Sequence, residues 1–256
     1  MSLIYQEERL YRILEYLEGH EAMTVNEICA IFGVSRDTAR RDVVKLAERG
    51  AVIRTHGGIA LPKFDKKIQE YAARQRNEPQ EKLRIGEYAA TLVEEDEILF
   101  LDVSTTVQCL IPRLRAAGLT VVTHSLDNAW LLMEEEAIQT YLLGGLLHPK
   151  LRHMTGYGTL KKLEDYRFTK AFLGAAGITG EGIYYYDEDD IYFKQELVRR
   201  AEQVIVLADH TKFDQYSLFR ALELPAIDII ITDQPVSRKM QKALDDAAVE
   251  LVIASG

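Results

Sequence analysis

From residue 98 to residue 254 the chain alternates short apolar runs with stretches of helical spacing. The runs are ILFLDV (98–103), LTVVTHS (119–125), IQTYLLGG (138–145), KAFLGAAGI (170–178), QVIVLAD (203–209), IDIIITD (227–233) and VELVIA (249–254). A strand without polar alternation has both faces buried, and such strands separated by helices call for a mainly parallel sheet with helices on each face. The fold class expected for the larger part of the chain is therefore α/β. Parallel sheets take their ligands beyond the carboxyl ends of the strands. Those ends read Asp102, Thr123-His124, Gly144-Gly145, Gly174, Asp209 and Asp233, so small and polar residues gather where a ligand would sit.

Two strand ends carry more than small residues. After Asp102, Ser104-Thr105-Thr106 opens a helical pattern with Val107, Leu110, Ile111 and Leu114 inward, which Pro112 should bend or interrupt. Amides at a helix start flanked by hydroxyls suit a phosphate; the simpler alternative is that Ser104 or Thr105 only caps the helix. ADHTKF (208–213) sets Lys212 behind Asp209, with Lys194 on the helical run that feeds the same strand. Lys212 is the better placed to meet an anion, because a lysine such as Lys194 is ordinarily a solvated surface charge. The candidate ligand residues are Asp102, Ser104, Thr105, Thr106, His124, Gly144, Gly145, Lys194, Asp209 and Lys212. Trp130 and Tyr184–Tyr186 read as packing. The six histidines have no metal-ligand spacing, and neither a metal nor another cofactor is expected.

The first 61 residues follow another pattern. Leu10, Ile13, Leu14 and Leu17 make one amphipathic helix that Gly19 stops. Thr24-Val25-Asn26-Glu27 has the form of a capping box, Ile28, Ile31 and Phe32 follow, and Gly33 ends the second helix. Ser35 is a favoured N-cap for a third helix (35–50) whose buried stripe is Ala39, Val43, Leu46 and Ala47. Short helices joined by a Gly turn form a helix-turn-helix, whose second helix enters the major groove. AVIRTHGGIAL (51–61) then reads as a small hairpin, or wing, turning at Gly57-Gly58. Ser35, Arg36, Thr38, Arg40, Arg41 and Lys45, with Arg54 and His56 on the wing, are the candidate DNA contacts.

Charge supports that reading. Residues 35–67 hold nine Lys or Arg against four Asp or Glu, a net +5, which leaves −14 for the rest of a chain whose total is −9. A basic stripe on an acidic body is the footprint of a nucleic-acid binder, since only the docking face meets phosphate.

These residues resemble a known family. EICAIFGVSRDTARRDVVKLAERGAVIRTHGG (27–58) is similar to the DeoR-type winged helix-turn-helix in its FGVS, its Thr, its Arg-Arg-Asp and its closing HGG. EKLRIGEYAATLV, LDVSTTV, VVTHSL, YLLGG, KAFLGAAGI and ADHTKF occur in the order of the DeoR C-terminal sensor domain, a fold similar to ribose-phosphate isomerases and CoA transferases. The resemblance implies a transcriptional regulator of a carbohydrate operon, more often a repressor, whose partners are double-stranded operator DNA and a sugar phosphate effector. This chain departs from the family at Ser104 (Gly there), His124 (Asn), Thr169 (Asp) and Thr211 (Ser).

The expected organisation is a DNA-binding domain over 1–61, a linker over 62–80 with Pro62 and Pro79, and an effector-sensing domain over 81–256. Useful specificity on DNA calls for two heads, hence a homo-oligomer, dimer or tetramer. No run approaches the roughly 18 apolar residues of a membrane span, and Glu7, Glu8, Arg9 and Arg12 interrupt any signal-peptide core. Cys29 and Cys109 are isolated, so the cytoplasm is the expected compartment. Two rival readings are a sugar-phosphate isomerase or transferase-like enzyme carrying a DNA-binding head, and an architectural DNA-binding protein. The enzyme would need a carboxylate base, for which Asp102, Asp190 and Asp209 are available without distinguishing spacing.

Overall fold

The computed structural model describes residues 6–20, 22–48, 52–55, 58–60, 80–149 and 151–254. The chain divides into two compact units, residues 1–73 and 74–256. Most of the anticipated linker, and His56 and Gly57 of the wing, lie outside the described residues; Gln80 already belongs to the first helix of the second unit.

The first unit comprises α1 (Gln6–Gly19), β1 (Ala22–Thr24), α2 (Val25–Phe32), α3 (Arg36–Glu48), β2 (Ile53–Thr55) and β3 (Gly58–Ala60). Its helices end where the sequence places the signals. Thr24 Oγ1 accepts from the Glu27 amide at 3.2 Å while the Glu27 carboxylate accepts from the Thr24 amide at 2.7 Å, a reciprocal capping box. Gly33 closes α2 in the left-handed conformation at φ 64°. Leu10, Ile13, Leu17, Ile28, Ala39, Val43 and Leu46 meet in one core. The strand β1 was not anticipated; it pairs antiparallel with β3, giving the order β1-β3-β2. Gly58 is in β3 rather than in the turn, and only glycine fits there, since a Cβ would run into the Met23 carbonyl of β1.

The second unit holds α4 (Gln80–Thr91), β4 (Ile98–Leu101), α5 (Thr105–Gln108), β5 (Thr120–Thr123), α6 (Leu126–Leu132), β6 (Gln139–Leu142), β7 (Leu146–His148), β8 (His153–Thr155) and α7 (Tyr157–Leu163). It continues with β9 (Phe168–Leu173), β10 (Gly177–Thr179), β11 (Gly182–Tyr185), α8 (Glu188–Arg200), β12 (Ala201–Leu207), β13 (Phe219–Leu222), β14 (Ile229–Thr232), α9 (Arg238–Asp246) and β15 (Glu250–Ile253). All seven apolar runs contribute a strand to one parallel sheet, ordered β15-β14-β12-β9-β4-β5-β6. Apolar clusters form on both faces, one around Phe100, Phe168 and Val206 and the other around Leu99, Leu101 and Ile231. The cover is incomplete at one edge, where every residue of β6 is exposed. Sequence reasoning missed the β7–β8 hairpin and the antiparallel sheet β10-β11-β13.

The strand order reverses direction once. From β4 the chain moves outward through β5 and β6, returns to lay β9 on the other side of β4, and then moves outward through β12, β14 and β15. The carboxyl ends of β4 and β9 therefore flank a topological switch point, the place where open α/β sheets keep their ligand crevice.

Candidate functional site

Asp102 and Gly174, just past the two strands of the switch point, touch across it, with the Gly174 amide donating to Asp102 Oδ2 at 3.3 Å. The other Asp102 oxygen accepts from Lys194 Nζ at 2.5 Å and from His124 Nε2 at 3.2 Å. Lys194 is thus no surface charge: it is 2% exposed, on α8, with Tyr185 and Phe193 rings 5.0 and 5.5 Å from its ammonium. Burial alone would raise the Asp102 carboxyl, but the Lys194 ammonium and the His124 hydrogen bond outweigh it and hold the group below the usual carboxylate range. Burial lowers His124. Since an ionised carboxylate only accepts, Nε2 of the ring carries a proton toward Asp102. Asp190, 3.8 Å from Lys194, goes the other way, pushed up to about 6 mainly by burial. Burial also pushes the Tyr185 hydroxyl well above its ordinary value, and that hydroxyl has no hydrogen-bond partner.

At the start of α5, Ser104 Oγ accepts from the Thr106 and Val107 amides at 3.2 and 3.4 Å, so it caps its own helix. That helix runs only from Thr105 to Gln108; a separate 3-10 turn, Ile111–Arg113, contains Pro112. Thr105 Oγ1 accepts from Lys82 Nζ of α4 at 2.8 Å. Lys82 is buried, and no motif or spacing in the chain singles it out. Asp209 accepts from both the amide and the hydroxyl of Thr211, with Lys212 Nζ 4.0 Å away. Burial raises the Asp209 carboxyl, but Thr211, Lys212 and Lys82 together bring it below its ordinary value. Lys82, Thr105, Asp209 and Lys212 thus form a half-buried polar group near the ends of β4 and β12.

A cavity of about 470 Å³ opens beside His124. Of the anticipated effector residues its lining contains His124 alone; the rest includes His148 and His153 of the hairpin, Tyr157, and Asp187 to Asp190 with Phe193 around the start of α8. The His124 and His153 rings lie 5.3 Å apart and those of His153 and His148 5.5 Å. His153 is pushed down to about 3, by burial first and then by His124 and Lys194, and its Nδ1 has no partner. Nothing in the local spacing of these histidines signals that a hairpin brings them together. Among the described residues no group of three or more His, Cys, Asp or Glu is placed to hold a metal. Gly144 and Gly145 follow β6; a Cβ on Gly145 would strike the Thr159 hydroxyl, whereas Gly144 faces open space. Thr169, at the far end of β9, bonds both the amide and the carbonyl of Ile98 and so ties β9 to β4. Trp130 does not pack inward; it is 65% exposed.

In the first unit, Ser35 Oγ accepts from the Thr38 amide at 3.3 Å and caps α3. Arg36, Arg40 and Arg41 are exposed, away from the buried stripe of Ala39, Val43 and Leu46. Lys45 turns toward α1, donating to Glu7 at 2.7 Å and Gln6 at 3.1 Å. Asp42 is buried and held by two nitrogens of Arg9, at 2.6 and 3.1 Å. The backbone of Arg54 pairs with Ile59 across the wing.

The DeoR-like helix-turn-helix domain matches residues 9–64 and the DeoR C terminal sensor domain residues 77–234. The chain is 42% identical to the HTH-type transcriptional repressor GlcR of Bacillus subtilis (strain 168), with 98% of this chain and 97% of that one covered. It is 28% identical to the glycerol-3-phosphate regulon repressor of Escherichia coli (strain K12), over 96% and 98% of the two chains. Among solved structures, ribose 5 phosphate isomerase A from Neisseria gonorrhoeae aligns over 52% of each chain at 15% identity and a TM-score of 0.38. The relatives matched over almost their whole length are named as regulators of transcription. No helix among the described residues is long and apolar enough to cross a membrane. With a winged helix-turn-helix followed by a parallel α/β unit, both matched in that order, the chain belongs to the DeoR family of DNA-binding transcriptional regulators.

Proposed function

We propose that the protein represses a carbohydrate operon in the cytoplasm, binding its operator as a homo-oligomer, dimer or tetramer, and that a phosphorylated sugar releases it. The observation that carries the effector reading is the gathering of Lys82, Thr105 and Lys212 beside the switch point, two ammonium groups and a hydroxyl suited to a phosphate. Ser104 and Thr106 complete that end, with Asp209 orienting Lys212. Asp102, fixed by Lys194, and His124 then border the sugar, and Gly144, which faces open space, leaves it room. The name of the glycerol-3-phosphate regulon repressor agrees with a phosphorylated ligand class. On DNA, Arg36, Thr38, Arg40 and Arg41 read the major groove from a helix fixed by the Ser35 cap, and Arg54 and His56 of the wing meet the backbone. Lys45 reaches a phosphate only by leaving Glu7.

Release requires unequal affinity of the effector for the DNA-bound and free states; a hundredfold release corresponds to about 2.7 kcal/mol of coupling. Calorimetry with a panel of free and phosphorylated sugars tests the reading on wild type, Thr105→Ala and Lys212→Ala, alongside operator titrations. Phosphates should bind tighter than the free sugars, each variant should lose at least tenfold, and the bound phosphate should weaken operator binding. Equal binding of free sugars, or variants that behave as wild type, rejects the phosphate assignment.

A further inference from the structure

The cavity beside His124, about 470 Å³ in volume, falls within the range of small-molecule sites, roughly 300 to 1,000 Å³. Apart from His124, none of its lining takes part in the phosphate end described above. It nevertheless borders the switch point, since His124 donates to Asp102 at 3.2 Å and Asp102 stands two residues before Ser104.

Its lining combines two chemistries. One is flat rings: His148 and His153 of the hairpin stack at 14°, and Phe193 stacks on His124 at 6° with 4.5 Å between centroids. The other is acid, from Asp187, Glu188, Asp189 and Asp190 at the start of α8. Thr155 on β8 donates to Asp189 at 3.1 Å and so ties the hairpin to that helix start. Acids at a helix start are favoured by the helix dipole whatever they border. Here they share a cavity with the rings, and among the described residues its lining holds no Lys or Arg. The Lys194 ammonium, 3.8 Å from Asp190, is already bound to Asp102.

Such a lining selects by charge. An ionised carboxylate only accepts hydrogen bonds, and sugar hydroxyl groups can donate to it. The C–H face of a sugar ring packs on flat rings as apolar surface does. A second phosphate or a carboxylate would bring more acceptors and like charge to the same acids, which is repulsive. At the Lys82–Thr105–Lys212 end the balance is reversed. We propose that the cavity receives the end of the effector remote from its phosphate and admits it only when that end is uncharged. The protein then responds to sugar monophosphates, while Asp187, Asp189 and Asp190 turn away sugar bisphosphates and phosphorylated sugar acids. This rests on the sugar phosphate reading above and narrows its class.

The test is calorimetry on the full-length protein at neutral pH with glucose 6-phosphate and fructose 6-phosphate. Each is compared with its free sugar and with its counterpart bearing a second acid: glucose 1,6-bisphosphate and 6-phosphogluconate for the first, fructose 1,6-bisphosphate for the second. The counterparts of the tighter-binding monophosphate should bind at least a hundredfold more weakly than it does. Asp187→Asn with Asp189→Asn removes two charges at nearly constant shape, and asparagine remains a favoured N-cap for α8. That variant should shrink the ratio at least fivefold; if it melts below the wild type, Asp189→Asn alone carries the comparison. Lys212→Ala, at the phosphate end, should weaken monophosphate and counterpart alike and leave their ratio unchanged. A wild-type ratio below a hundredfold, an amide variant that shifts it less than fivefold, or a ratio that follows Lys212 instead overturns this inference and leaves the sugar phosphate reading standing. Monophosphates that bind no tighter than their free sugars remove both.

Discussion

On α3 of the first unit Arg36, Arg40 and Arg41 stand in solvent, whereas at the switch point of the second Asp102 and Lys194 are 1% and 2% exposed. Solvated guanidinium groups exchange water and counterions for DNA phosphate at little cost to the fold, and salt competes with them. A buried ammonium and carboxylate have given up their water and depend on each other; they hold a geometry. Among its described residues the first unit keeps one pair of the second kind, Arg9–Asp42, and it joins α1 to α3 rather than facing outward. The type of a charged residue says less about its task than whether its partner is internal or yet to arrive.

The largest effect should come from breaking the internal pair. Asp102→Ala leaves Lys194 buried without its carboxylate and should destabilise the second unit by about 3 to 5 kcal/mol, read by urea unfolding. Lys194→Met together with Asp102→Ala removes both charges and should recover a substantial part of that loss. If Asp102→Ala unfolds with the wild type, the inward half of the comparison fails.

Next, Arg40→Ala and Arg41→Ala should leave the unfolding midpoint unchanged and weaken operator binding. A base contact should cost about 1 to 3 kcal/mol and relax specificity at one position, while a phosphate contact should weaken all sequences alike and lower the salt slope by about one. Gel-shift titrations at several salt concentrations separate the two. Unchanged binding by both variants would break the outward half.

The smallest effect is a pH dependence. His153 has its folded value pushed down to about 3, so between that value and the ordinary histidine value the unfolded chain binds the extra proton. Stability therefore falls as pH drops below about 6.5, by about 1.4 kcal/mol one unit lower. Asp190, raised to about 6, opposes this, since the folded state binds its proton first as pH falls through 6. Melting His153→Gln and wild type side by side from pH 7 to 5 isolates the histidine, and the variant should lose less stability on acidification. Parallel curves would mean that His153 gains its proton without penalty.

The parts of the fold legible in the sequence are those set by local rules. The Thr24–Glu27 box, the Gly33 stop and the Ser35 cap are contacts between residues at most three apart, and strands buried on both faces are continuous apolar runs. The same rule misled at β6, whose apolar residues suggested cover that is absent. Three-residue strands such as β7, β8 and β10 are too short to show a period. Lys194 was misjudged because its partner is 92 residues away, and the Arg9–Asp42 pair spans 33. Spacing along the chain carries no signal for either, nor for the hairpin that gathers His148 and His153 by His124.

Gly174 bears on the order in which this site can change. A Cβ on Gly174 would lie 2.5 Å from Ser104 Cβ and 2.6 Å from its hydroxyl, while the Ser104 Cα, 3.7 Å away, leaves an ordinary gap. The two positions share one small volume, and here it belongs to residue 104. Alanine at 174 is closed to a lineage carrying Ser104 and opens once 104 has become glycine, so the path between the two states runs one way round: the serine must be lost before the methyl group can be gained.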